Sequence, residues 1–247
     1  MSFLHPTILA LAAAAMPVLA QADTALVAVA PNFVKPAEKL AADLKAATGH
    51  EITVSGGATG KLYAQISEGA PFDALLAADA KTPARLVTDG AAASDPFPYA
   101  TGVLVLWSAD PVHDLSDPRA ALAAARHVAV ANPDVAPYGK AAMETLDKLG
   151  LTDTLKDRIV TGENIGQTQT LVASGAAEIG FVAASGLAGD AGGSRWDVPA
   201  DLHAPIRQDA VLLKHGEGNA AAKAFLDYLA SDAGKAVIAS YGYATGN

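Results

Sequence analysis

From Thr24 onward, short apolar runs alternate with amphipathic segments that close on glycine, and this rhythm confines the chain to the α/β class. A strand is read over residues 25–30 and a helix over 36–47, where Ala37, Leu40, Ala41 and Leu44 share a face and Gly49 is the stop. A strand over 51–54, a helix over 61–68, a strand over 72–77 and a helix over 81–88 follow. Residues 101–107 form a longer apolar strand after the Pro-rich Asp95-Pro96-Phe97-Pro98, and read as a crossing between domains. The second half repeats the pattern: strand 127–131, helix 138–149, helix 165–173, strand 178–182, a Gly- and Asp-rich loop over 190–199, strand 210–214, then helices 219–229 and 233–240.

Such alternation predicts parallel sheets with right-handed crossovers. At 247 residues the chain makes one large domain or two small ones. The reading is two Rossmann-like α/β lobes joined by crossing strands: lobe 1 over residues 23–101 and 207–247, lobe 2 over residues 102–206. A ligand cleft is expected between them.

The N-terminus sets the compartment. Residues 1–22 contain no Asp, Glu, Lys or Arg, and the apolar run 8–16 is followed by Pro17 and the small-x-small ending Ala20-Gln21-Ala22. This is the pattern of an export signal cleaved after Ala22. The run is shorter than the roughly 20 residues of a membrane span. The n-region offers only the α-amino group and His5 where Lys or Arg is usual, and a buried N-terminal helix is the competing reading. No second run is long enough to cross a bilayer, so a soluble exported protein beginning at Asp23 is expected, in the periplasm. The formal net charge of −9 argues against nucleic acid and anionic membranes as partners. The absence of cysteine excludes disulfides, thiolate metal sites and cysteine nucleophiles.

Four loops carry chemistry suited to the cleft. They are Ala30-Pro31-Asn32-Phe33, Ser55-Gly56-Gly57-Ala58-Thr59-Gly60-Lys61, Asn132-Pro133-Asp134-Val135-Ala136-Pro137-Tyr138-Gly139 and Gly162-Glu163-Asn164-Ile165-Gly166-Gln167-Thr168. Each leads into a helix, whose first N–H groups and macrodipole favour an anion. Asn32, Thr59 and Tyr138 add neutral side-chain donors. The plainer reading is that such turns occur in most α/β folds and that their Asn and Thr are N-caps. A P-loop is excluded at residues 56–62, because the Gly-x-x-x-x-Gly-Lys spacing is absent and Leu62 stands where a hydroxyl should hold Mg²⁺.

Other constellations are weaker. The histidines are scattered and read as solvated surface, and no Gly-x-Ser-x-Gly elbow exists. Tyr241 and Tyr243 read as packing, Lys61 as a first-turn lysine facing water, and Asp73 and Asp79 as caps or braces.

The run Thr53-Val54-Ser55-Gly56-Gly57-Ala58-Thr59-Gly60-Lys61-Leu62-Tyr63-Ala64-Gln65-Ile66, continued by Gly69-Ala70-Pro71-Phe72-Asp73 and Ala77-Ala78-Asp79, closely resembles the periplasmic molybdate-binding proteins of ABC uptake systems. Ala136-Pro137-Tyr138-Gly139-Lys140-Ala141-Ala142, Gly162-Glu163-Asn164-Ile165, Ile179-Gly180-Phe181-Val182 and Ser240-Tyr241-Gly242-Tyr243 extend the resemblance over the whole mature chain. It implies a type II periplasmic-binding fold that closes on molybdate or tungstate and presents it to a membrane permease, with no cofactor, no catalysis and a monomeric protein. It assigns the oxyanion to Asn32, Thr59, Tyr138 and the backbone N–H of Ile165, with Ala58 and Gly60 as additional positions. Asn32 stands where many relatives have Ser, Ala58 where a hydroxyl is common, and Pro31 brings no N–H. Ala183 replaces a ligand Tyr of some relatives, a loss for which Tyr138, absent from those relatives, compensates. The alternatives are a receptor for sulfate or ferric ion and, more remotely, an exported hydrolase using Asp73, Asp79 and a histidine.

Overall fold

A computed structural model describes residues 22–189 and 192–244, so the expected export signal lies, apart from Ala22, outside the described residues. The chain runs through β1 (Thr24–Val29), a 3-10 turn (Pro31–Phe33), α1 (Val34–Thr48), β2 (Glu51–Gly56), α2 (Thr59–Ser67), β3 (Ala74–Leu76), α3 (Lys81–Thr88), β4 (Phe97–Gly102) and β5 (Leu104–Ser108). It continues with α4 (Pro118–Ala124), β6 (Val128–Ala131), α5 (Pro137–Lys148), α6 (Thr152–Leu155), β7 (Ile159–Gly162), α7 (Ile165–Ala173) and β8 (Ile179–Ala183). A 3-10 turn (Ala184–Leu187), β9 (Ser194–Asp197), a further turn (Ala200–Leu202), β10 (Ile206–Leu212), α8 (Ala220–Ala230) and α9 (Asp232–Ser240) complete it. Among the described residues no helix is long and apolar enough to cross a membrane.

The strands form two five-stranded sheets, in the orders β2-β1-β3-β10-β4 and β7-β6-β8-β5-β9. Within them β1 is parallel to β2 and β3, and β6 is parallel to β7 and β8. The sheets are nonetheless mixed, which corrects the expectation of parallel sheets. β10 runs antiparallel to β3 and β4, and β5 antiparallel to β8 and β9. The reason is the crossing: β5 carries the chain out of the first sheet and β10 brings it back, so each enters its sheet against the local direction.

The strand expected over 101–107 is therefore two strands in different sheets, parted at Val103. Pro98 belongs to β4, where an edge position tolerates its missing N–H. The loop expected over 190–199 contains β9, an edge strand paired with β5. β7 and α4 were not foreseen; α4 is capped by Asp117, which accepts from the Ala120 N–H at 3.1 Å.

Alternate residues of each strand face opposite helix layers. Val27, Val29, Leu76 and Leu212 pack against Leu40 and Leu44 of α1 and Phe225 and Leu229 of α8. Ala28, Leu75 and Val211 meet Leu62 and Ile66 of α2 and Leu86 of α3. In the second sheet Leu106, Val130 and Phe181 pack on Ala142 and Leu146 of α5, while Val105, Trp107 and Val182 pack on Val172 of α7. Ala30, Ala78 and Ile206 join the α5-side core, which thus spans both sheet units.

Candidate functional site

Strand register brings the four loops together. At the carboxyl ends of the parallel strands, Val29 lies opposite Gly56 and Ala131 opposite Gly162. The loops that follow are tied by Gly57 N–H to Val29 O (3.1 Å) and Asn132 N–H to Gly162 O (2.8 Å). Ligands of open α/β sheets bind at such strand ends. The two loop pairs then meet across the gap between the sheets. The Gly60 N–H donates to Val135 O at 3.0 Å, and the Ser185 hydroxyl donates to Asn32 O at 2.9 Å. Lys61 Nζ stands 2.8 Å from Glu163 Oε2.

Each helix start leaves N–H groups outside the intrahelical ladder. In α2 the ladder begins with Leu62 N–H to Ala58 O, and Gly60 is taken by Val135, which leaves the N–H groups of Ala58, Thr59 and Lys61. In α7 the Asn164 side chain caps Gln167 N–H at 3.0 Å and Asn164 O takes Thr168, leaving Ile165 and Gly166. In α5 Pro137 brings no donor and Ala136 O takes Gly139 and Lys140, leaving Tyr138. Asn32, Ala58, Thr59, Tyr138 and Ile165 are all buried, each at most 6% exposed. Gly60 is half-buried.

Side chains complete the lining. Thr59 Oγ1 accepts from Ala78 N–H at 3.1 Å, so its own proton remains. Tyr138 OH accepts from Gln208 Nε2 at 3.1 Å. Asn32 Nδ2 donates to Gln208 Oε1 and to Tyr243 OH, both at 2.9 Å, while its Oδ1 is buried without a partner. What Asn32 has left to donate is its main-chain N–H. Tyr243 OH donates to Asn32 O at 2.6 Å and lies 2.9 Å from Ser185 Oγ; Tyr99 OH lies 3.0 Å from both Ala77 O and Gln208 Oε1. Burial pushes the phenols of Tyr99 and Tyr138 well up, and that of Tyr243 up as well, so all three are neutral hydroxyls at any working pH. Ala183, also buried, packs in the same core as Tyr138 and contributes no donor.

The donors gathered here are therefore neutral dipoles. Of the charges around them, Asp209, beside Gln208, is buried and paired with Arg207 at 2.8 Å, and Lys61 and Glu163 form an exposed pair in which the lysine's hydrogen bond holds the Glu163 carboxyl below its usual range. A groove of about 440 Å³ runs alongside, touching Gly60, Ala78, Val135 and Arg207, but Asn32, Thr59, Tyr138 and Ile165 do not line it. The donors are buried away from it. This arrangement suits a small, fully ionised oxyanion and offers no general acid or base.

The remaining candidates lie in structural roles. Asp73 accepts from Leu26 N–H at 2.7 Å and pairs with His215 at 2.8 Å; Asp79 caps α3 through Thr82. His203 is buried beneath the surface on which the histidines were expected. Among the described residues no group of metal-binding side chains gathers. Tyr243 packs as expected but its hydroxyl also joins Ser185, Gln208 and Tyr99 in a hydrogen-bonded brace that the local pattern does not signal, although Gln208 is a lone neutral amide in a buried strand.

Residues 25–244 match the family described as bacterial extracellular solute-binding protein. The chain is 48% identical over 228 residues to the molybdate-binding protein ModA of Rhodobacter capsulatus, covering 92% of this chain and 90% of the relative. It is 47% identical over 250 residues to the molybdate-binding protein ModA of Azotobacter vinelandii, covering 98% and 99%. The solved periplasmic molybdate-binding protein of Azotobacter vinelandii superposes with a TM-score of 0.86 over 90% of this chain and 100% of that one, at 38% identity.

Proposed function

Because the chain belongs to the bacterial extracellular solute-binding protein family, with molybdate-binding relatives along nearly its whole length, we infer that it is a periplasmic molybdate-binding protein that serves the permease of an ABC transporter. Its work is binding in transport and not catalysis, and molybdate is its ligand rather than a cofactor. The observation that carries this reading is the donor set itself: buried N–H groups and hydroxyls left over at converging helix starts, none of them on a charged side chain.

In the finer reading the dianion takes hydrogen bonds from the Asn32, Ala58, Thr59, Tyr138 and Ile165 N–H groups and from the Thr59 and Tyr138 hydroxyls, with Gly60 at the edge. Tungstate, with the same shape and charge, binds as well. Lobe 1 (residues 23–101 and 207–247) and lobe 2 (residues 102–206) part about the β4–β5 and β9–β10 crossings to admit it. Supporting this, the Lys61–Glu163 pair and the Ser185–Asn32 bond join residues from opposite sides of the cleft. Capture between two lobes of one chain needs no second copy, so the working species is the monomer, exported and cleaved after Ala22.

A ferric receptor is disfavoured because the lining offers a cation no carboxylate; a sulfate receptor is the nearer rival. Calorimetry on desalted protein with molybdate, tungstate, sulfate and phosphate separates them. Heat with molybdate and tungstate is expected, and its absence with both overturns the reading.

A further inference from the structure

We propose that Gln208 is a positioning residue of the molybdate site: its amide N–H occupies the Tyr138 hydroxyl oxygen and thereby turns the Tyr138 proton towards the bound anion. The inference rests on the reading above, in which Tyr138 donates to molybdate.

Gln208 is wholly buried on β10, the strand that returns the chain to the first sheet. It touches both sides of the cleft, with Oε1 2.9 Å from Asn32 Nδ2 and Nε2 3.1 Å from Tyr138 OH. The direction of every proton in this chain of contacts follows from one carbonyl. Asn32 O can only accept, so Tyr243, at 2.6 Å, donates its single proton there. Towards the Asn32 side chain Tyr243 is then an acceptor, so the atom facing it must be Nδ2. The second Nδ2 proton faces Gln208, which must present Oε1. The other arm of the Gln208 amide is thereby Nε2, a donor, and it points at Tyr138. The Tyr138 oxygen is consequently an acceptor towards Gln208, and its own proton is directed elsewhere. Reversing the Gln208 amide would set donor against donor at Asn32.

The site leaves the pair little freedom. A methyl group at Gly102, where β4 gives way to β5, would stand 2.2 Å from Tyr138 OH and 2.6 Å from Gln208 Nε2. The titratable groups around Gln208 are the phenols of Tyr99, Tyr138 and Tyr243, all kept neutral by burial, and the neighbouring Asp209, which is paired with Arg207 at 2.8 Å.

The test is a double-mutant cycle read by calorimetry with molybdate. Gln208→Met is expected to raise Kd by roughly 10-fold or more, up to the roughly 150-fold that loss of the Tyr138 hydrogen bond to the charged ligand would cost. In a Tyr138→Phe background the same change should cost less than about two-fold, because the hydroxyl it orients is gone. The Asn32 proton orphaned by Gln208→Met is orphaned with and without ligand, so that effect appears in melting temperature and not in Kd. Equal penalties in the two backgrounds overturn the proposal, as does unchanged affinity of Gln208→Met beside a weakened Tyr138→Phe. If Tyr138→Phe itself binds like the parent, the reading of Tyr138 as a ligand fails and the inference falls with it. Should Gln208→Met not fold, Gln208→Glu is measured across pH. Its affinity should be low while the carboxylate is ionised and recover as pH falls and the protonated acid again donates to Tyr138; a pH-independent Kd overturns the proposal.

Discussion

Thr59→Val separates what Thr59 does for the fold from what it does for the ligand. The side chain is 1% exposed at the first position of α2, and the substitution keeps its shape while removing the hydroxyl. One lone pair of that hydroxyl accepts the Ala78 N–H at 3.1 Å. Ala78 is itself buried, so valine leaves an unsatisfied donor worth about 1–3 kcal/mol, with and without molybdate. For a chain of this size that is a fall in melting temperature of about 2–12 °C. The hydroxyl proton is the part available to the anion. Its loss removes a hydrogen bond to a charged partner, about 1.5–3 kcal/mol, or roughly 10- to 150-fold in Kd. Thr59→Ser retains both functions and should restore both readouts. Differential scanning fluorimetry of the ligand-free protein and calorimetry with molybdate measure the two effects separately. A variant that melts lower yet binds molybdate as tightly as the parent would refute the assignment of Thr59 to the site and reduce it to a tie between α2 and Ala78.

Gly102→Ala should weaken molybdate binding and lower the melting temperature by the equivalent of about 1–3 kcal/mol, because the added methyl collides with Tyr138 and Gln208; parental values in both assays contradict the packing described. Lys61→Ala removes an exposed pair that spans the cleft, so molybdate should dissociate faster by less than roughly five-fold and with a weaker dependence on salt, as read by stopped-flow fluorescence; a salt dependence equal to the parent's contradicts this. Glu178→Gln tests a pH effect. Desolvation raises the Glu178 carboxyl, but the His127 N–H, its own N–H and Arg126 outweigh it and hold it below its usual value. A depressed carboxyl stabilises the fold above its unfolded pKa and loses that contribution as pH falls through the folded one. Melting temperature should therefore drop more steeply for the parent than for the variant between about pH 5 and pH 3, and parallel curves refute it.

The parts of the fold written in local pattern were legible in the sequence. α3 and α7 have the ends expected of them, because each is an amphipathic stretch with a glycine just beyond it. β7 and β9 escaped because they are four-residue edge strands, and β9, Ser-Arg-Trp-Asp, is held by its pairing to β5 rather than by an apolar run. β10 begins four residues before the expected strand, since Arg207, Gln208 and Asp209 interrupt the apolar signal. The same interruption marks the site. The four loops were visible as strand-to-helix turns carrying polar donors, but the brace behind them joins residues up to 211 positions apart, and no local period encodes such a contact. Asn32 shows the difference: its identity suggested a side-chain donor, while the structure engages both amide protons within the protein.

The strand order of the first sheet bears on how the chain is made. The second sheet is drawn entirely from one continuous stretch, β5 to β9, whereas the first has β10 inserted between β3 and β4. When a ribosome has extended the polypeptide through β9, all five strands of the second sheet exist, while the first has the three strands β2-β1-β3 and, across a one-strand gap, the edge strand β4. Gln208 arrives within the strand that fills this gap, and Tyr243 later still. Biosynthesis thus delivers the parts of the proposed oxyanion site in a fixed sequence, with its two sides synthesised before the strand that fastens them together.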